Sequence, residues 1–169
     1  QPESPIEGKN LTRIGESVTE HRAGSGRAHK GLDLFAPVGS PVLSAVSGKV
    51  LRVVDGSTST RISGQRAGWF VDILGSDGLI YRYLHLNMSK LKVATNQTVK
   101  KGDVIGYVSN DFGGTPTTLH LHFEIRLNTA ENGWQYAPPY SSLLEAYKRR
   151  ENNPGERVAD DFVVASTPR

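Results

Sequence analysis

Residues 118–127 read TLHLHFEIRL, in which Leu119, Leu121 and Phe123 alternate with His120, His122 and Glu124. Successive side chains of a β-strand point to opposite faces. The alternation therefore predicts a half-buried strand with leucine and phenylalanine on one side and two imidazoles and a carboxylate on the other. Neighbouring imidazoles repel when both are protonated, and a metal ion or neutral hydrogen-bonded partners resolves the conflict. The surrounding chain also reads as short strands separated by turn signals, which predicts an all-β domain. Residues 41–54 (PVLSAVSGKVLRVV) hold two β-branched runs around Ser47 and Gly48. Residues 69–74 (WFVDIL) and 79–86 (LIYRYLHL) flank Gly75-Ser76-Asp77-Gly78, the pattern of a hairpin. Residues 99–108 (VKKGDVIGYV) give a tight turn and then a strand, and 55–68 form a polar loop between two strands.

The flanks differ from this middle. A chain of 169 residues suits one domain. Residues 1–20 are polar, carry two prolines and read as an arm, followed by a domain over 21–137. Pro138 and Pro139 then break the chain, Leu143, Leu144 and Tyr147 mark a short C-terminal helix over 140–150, and 151–169 read as a loose tail. Hydrophobic residues make up 37%, and no run approaches the ~20 apolar residues that cross a bilayer. The start QPESPIEGKN has no basic segment leading into an apolar stretch, so either a signal peptide has been removed or the domain comes from a longer protein. The net charge of +3 favours anionic partners such as a bacterial envelope or nucleic acid, although ordinary surface lysines and arginines account for it equally well. Arg61, Arg66 and Trp69 are the one candidate nucleic-acid patch and match no such motif, so no nucleic-acid partner is expected. The G-x-S-x-G element of serine hydrolases is absent.

With no cysteine in the chain, structural disulfides and thiol nucleophiles are excluded, and any metal must be held by histidine and carboxylate. The histidines are His21, His29, His85, His120 and His122. His29 and Asp33 stand four apart in HKGLD, where Gly31 argues for a loop entering a strand. An imidazole, a carboxylate and a second imidazole make the catalytic type of zinc site, which leaves a position for water and lowers its pKa to about 7. His85, in YLHL, suits a general base or a hydrogen-bond donor to an oxyanion. Each piece also has an ordinary reading: HxxxD arises by chance, HxH can be a surface or core pair, and His85 can be a satisfied strand histidine. His21 reads as a loop residue without a role. The joint occurrence of the three pieces favours a metal enzyme.

At these residues the sequence resembles the M23 family of zinc metallopeptidases, of the lysostaphin and LytM type. The family pattern stands here as HKGLD (29–33), YLHL (83–86), VKKGDVIG (99–106) and HLHFE (120–124), in the family's order. The resemblance implies an antiparallel β-sheet groove with zinc on its floor, one zinc ion held by His29, Asp33 and His122, and metal-free catalytic histidines at His85 and His120. It also implies a peptidoglycan peptide substrate, hydrolysed at crosslinks or stems by metal-activated water, and hence periplasmic or extracellular action by an expected monomer. Glu124 and Tyr83 are candidates for residues behind the metal ligands or along the substrate groove, with Tyr81 as an alternative to Tyr83. Two departures stand out. HxxxD is preceded by 21–28 with no counterpart to a transition-state tyrosine, and the segment before HLHFE reads TPTTL with Gly113 and Gly114 shifted upstream. The alternative function is a non-catalytic wall-binding or activator domain on the same fold. The 99–106 segment also resembles the turn of lipoyl-type carrier domains, but beside the other motifs Gly102 and Gly106 read as scaffold.

Overall fold

The computed structural model describes residues 4–6, 13–14, 31–54, 70–112, 115–129 and 133–137. Among these the one helical element is a single 3₁₀ turn, Met88–Lys90. The strands in chain order are β1 (Arg13–Ile14), β2 (Leu32–Phe35), β3 (Pro41–Leu43), β4 (Gly48–Val54), β5 (Phe70–Gly75), β6 (Ile80–Leu84), β7 (Thr98–Val99), β8 (Val104–Tyr107), β9 (Asp111–Phe112), β10 (Thr115–Pro116), β11 (Leu121–Thr129) and β12 (Gly133–Ala137). The main sheet is antiparallel in the order β1-β2-β11-β6-β5-β4-β7, with β12 also on β11. β2 pairs with residues 121–123 and β12 with 125–129, so the two share β11 end to end. The pairs β3-β8 and β9-β10 complete an all-β, antiparallel fold.

β11 shows why the alternation produces this arrangement. Leu121, Phe123 and Ile125 are buried in the core, and the Phe123 ring packs against Tyr83 and Tyr81 of the neighbouring β6. β2, β5, β3 and β8 add Leu32, Ile73, Val42 and Ile105 to the same interior. Burial at ~25 cal/mol per Å² of apolar surface makes this face the main source of stability. The β5–β6 turn has its own local cause. Gly78 adopts φ 81°, a left-handed conformation that costs glycine little. Asp77 Oδ1 accepts the Leu79 N–H at 3.0 Å, and its Oδ2 accepts the Tyr81 hydroxyl at 2.6 Å.

Three features differ from the sequence reading. The segment read as an arm is built into the domain where it is described: Ile6 is fully buried and bridges Val42, Pro5 O accepts the Leu43 N–H at 2.8 Å, and Arg13 and Ile14 extend the sheet through β2. Two- and three-residue contacts are too short to carry a period. β12 was not foreseen either, because its pairing with β11 is set by the closed sheet. β11 begins at Leu121 and not at 118, and Leu119 is exposed instead of joining the core face. The helix over 140–150, the tail over 151–169 and the loop over 55–68 lie outside the described residues.

Candidate metal centre

Pairing of β2 with β11 sets His122 directly opposite Asp33. Opposed side chains share a sheet face, and Asp33 Oδ1 lies 2.8 Å from His122 Nδ1. The other ring nitrogen, Nε2, lies 3.1 Å from Glu124 Oε1, two residues along the strand. His120 approaches the same carboxylate, its Nε2 3.5 Å from Asp33 Oδ1. All four side chains are buried. The glycine of HKGLD permits this crowding: a Cβ on Gly31 would stand 2.5 Å from Phe123 O and 2.7 Å from His122 Nε2. Gly31→Ala should therefore displace the His122 ring or the strand beneath it. The expected cost is about 1–3 kcal/mol, the range for overpacking, read as a lower urea midpoint together with reduced metal affinity. An unchanged midpoint and affinity would show that this backbone approach matters little.

His85 reaches the cluster by a backbone reversal. Strict alternation along β6 would send residue 85 to the core face with Tyr81 and Tyr83. Instead His85 has φ 68°, a left-handed conformation that is uncommon outside glycine and costs on the order of 1 kcal/mol. Leu86 then fills the core, while the His85 ring stands edge-on to His120 at 4.6 Å and to His122 at 6.2 Å between centroids. The kink is held by the Ser109 N–H donating to His85 O at 2.9 Å and by the Leu86–Val108 bridge. His120 is fixed by a partner the sequence did not single out. Its Nδ1 lies 2.8 Å from Thr118 O and 3.0 Å from Thr118 Oγ1. A carbonyl only accepts, so Nδ1 carries the proton, and in the neutral ring Nε2 is then the acceptor.

Burial alone would lower the pKa of His122, but its hydrogen bonds with Asp33 and Glu124 outweigh burial and raise it from 6.5 to about 9. In protein stripped of metal with a chelator, protonation of His122 thus stabilises the fold. That contribution, on the order of 3 kcal/mol, is complete below pH 6.5 and is lost as the pH rises through about 9. Urea midpoints of the stripped protein should fall across this window, with a shallower fall in His122→Gln. Equal slopes would count against the doubly hydrogen-bonded imidazolium.

Tyr83 has no exposed surface, and its hydroxyl accepts the Ala45 N–H at 2.9 Å. Burial pushes its pKa upward. It lies on the face of β6 that packs on Phe123, the place of a core residue and not of a groove residue. Tyr81 is likewise buried and bonded to Asp77. Its pKa is raised, first by burial and then by that bond. His29 lies outside the described residues. Among the described residues no three His, Cys, Asp or Glu side chains surround a common point. Asp33 and His122 supply two converging donors of the oxygen and nitrogen types that zinc takes. The donor set fits a zinc ion once a third ligand joins it. Sequence reading also passed over Arg52, Asp72 and Arg82, whose interaction depends on which strands pair.

Fold and cluster together define a class: an antiparallel β domain with imidazoles and carboxylates gathered on one sheet face. The catalytic domain of the antimicrobial peptidase lysostaphin from Staphylococcus simulans superposes with a TM-score of 0.60 at 26% identity, over 78% of this chain and 92% of that one. A zinc-containing peptidase from Vibrio cholerae gives a TM-score of 0.60 at 26% identity, over 82% of this chain and 39% of that one. The chain belongs to peptidase family M23, whose profile matches residues 27–138. It is 30% identical to the L-Ala–D-Glu endopeptidase of Bacillus subtilis over 131 residues, which is 74% of this chain and 38% of that protein. It is 36% identical to the peptidoglycan DD-endopeptidase ShyC of Vibrio cholerae over 102 residues, 60% of this chain and 21% of that protein. The chain thus spans well under half the length of these curated relatives.

Proposed function

We propose that the chain is a zinc-dependent endopeptidase that hydrolyses peptide bonds in the crosslinks or stems of bacterial peptidoglycan, acting as a monomer in the periplasm or outside the cell. The observation that carries this reading is the convergence of Asp33, His122, His120 and His85, from separate strands and strand ends, into one buried cluster. Membership of a peptidase family and likeness to peptidoglycan endopeptidases support the substrate class. Among the described residues no helix is long and apolar enough to cross a membrane.

Asp33, His122 and His29 are assigned to hold the ion. Bound zinc supplies Lewis acidity, bringing the pKa of water near 7 and polarising a carbonyl. Glu124 sets the tautomer of His122: accepting a proton from Nε2 leaves the Nδ1 lone pair for the metal. His120, with its Nδ1 proton engaged by Thr118, presents Nε2 as a base for the proton of the attacking water. In this reading His85, edge-on to His120, donates a hydrogen bond to the oxygen on which charge develops.

The test is zinc content by plasma mass spectrometry, combined with mass spectrometry of fragments released from purified peptidoglycans of several crosslink types. One zinc per chain is expected, with new amino and carboxyl termini within stems or bridges. Chelation should abolish release and added zinc should restore it. Zinc-loaded protein that binds every wall type and cuts none would be a wall-binding domain.

A further inference from the structure

The face of the sheet that carries His122 and Glu124 continues away from them as a row of charges. Successive strand pairings place Glu124 opposite Arg82, Arg82 opposite Asp72, and Asp72 opposite Arg52, across β11, β6, β5 and β4. Directly opposed residues project from the same face, so Arg52 shares the face of the histidine cluster. The Asp72 side chain is fully buried and is held by both arginines. Arg82 Nε lies 2.8 Å from its Oδ1 and Nη2 2.9 Å from its Oδ2, while Arg52 Nε lies 2.8 Å from the same Oδ2. Phe70, the next residue on this face of β5, lies beneath both guanidinium groups, with its centroid 3.9 Å from Arg82 Cζ and 5.4 Å from Arg52 Cζ.

The two arginines differ in what they leave available. The Arg82 side chain is 13% exposed and that of Arg52 is 50% exposed. Arg52 uses Nε on Asp72, and its two Nη groups meet no acceptor among the described residues. Asp72 is bonded by two guanidinium groups, and of these the half-exposed one, Arg52, is displayed at the end of the row. A guanidinium held by a buried carboxylate and an aromatic ring is pre-organised, and its open edge matches the geometry of a carboxylate.

We propose that Arg52 is a specificity-determining residue that binds a free carboxylate of the substrate peptide. The proposal rests on the peptidase reading above and narrows it to carboxylate-bearing stems in preference to neutral glycine bridges. Three strand spacings separate β4 from β11, roughly 14 Å. An extended peptide covers that distance in about four residues. The carboxylate bound by Arg52 therefore belongs to a residue about four positions from the bond at the histidine cluster.

The experiment uses the full chain with zinc and three probes: a purified crosslinked stem-peptide dimer with free carboxylates, the same dimer with those carboxylates amidated, and a pentaglycine peptide. Binding is measured by calorimetry and cleavage by chromatography. Wild-type protein is expected to bind the free-carboxylate dimer about tenfold more tightly than the amidated one, and pentaglycine more weakly still. Arg52→Gln should bring the free-to-amidated ratio close to one, through KM and not kcat, and Arg52→Lys should retain part of it. Urea midpoints of both variants establish that they are folded. Equal binding of the two dimers by wild-type protein, a preference for pentaglycine, or an Arg52→Gln variant that keeps the preference would each overturn the proposal. A carboxylate preference in binding without any cleavage would leave the subsite standing and remove the peptidase reading instead.

Discussion

His122→Ala is expected to lose bound zinc and hydrolysis together. The side chain meets Asp33 through Nδ1 and Glu124 through Nε2. On the proposed ligand set its removal takes away a ligand, and it also leaves two buried carboxylates without the group between them. Partners one step removed from a metal already command about 10–100-fold in affinity or activity. A direct ligand should exceed that, so turnover should fall by at least about a hundredfold while zinc content drops well below one per chain. The variant's urea midpoint in chelator isolates the structural part of the loss. Full zinc occupancy in folded His122→Ala would remove His122 from the ligand set.

His120→Ala is expected to separate chemistry from metal binding. His120 is anchored through Nδ1 to Thr118 and touches Asp33 only at 3.5 Å. The expected result is zinc near one per chain with a rate reduced by about 10²–10⁴, the range for loss of a general acid–base group. The acidic limb of the pH–rate profile should flatten as well, a change that simple loss of packing would not produce. If the variant loses zinc as His122→Ala does, His120 is a ligand and the division of roles within HLHFE must be redrawn. If it keeps full activity, the proton is handled elsewhere.

The alternation of leucine and phenylalanine with histidine and glutamate placed β11 and its two faces, because side-chain direction along a strand follows from backbone geometry alone. The 75–78 turn was readable for a similar reason: Asp77 and Gly78 act on neighbours within a few residues. Four motifs in order were enough to name the family and its fold. The site's own geometry was less accessible. Nothing local in the sequence says that Asp33 faces His122 rather than another residue of β11, since strand register depends on where distant segments pair.

His85 is the sharpest case. The period of β6 assigns it to the core with Tyr83, and only the left-handed backbone, held from 108 and 109, turns it toward the other imidazoles while leaving Tyr83 inside. The packing of Ile6, the pairing of β12 and the Arg52–Asp72–Arg82 row were hidden for the same reason. By itself the sequence determined the residue types available for chemistry, the all-β class and the faces of its clearest strand, which are properties of neighbouring positions. Tertiary structure decided which of those residues meet, because contacts between remote strands exist only once the whole sheet has closed around its core.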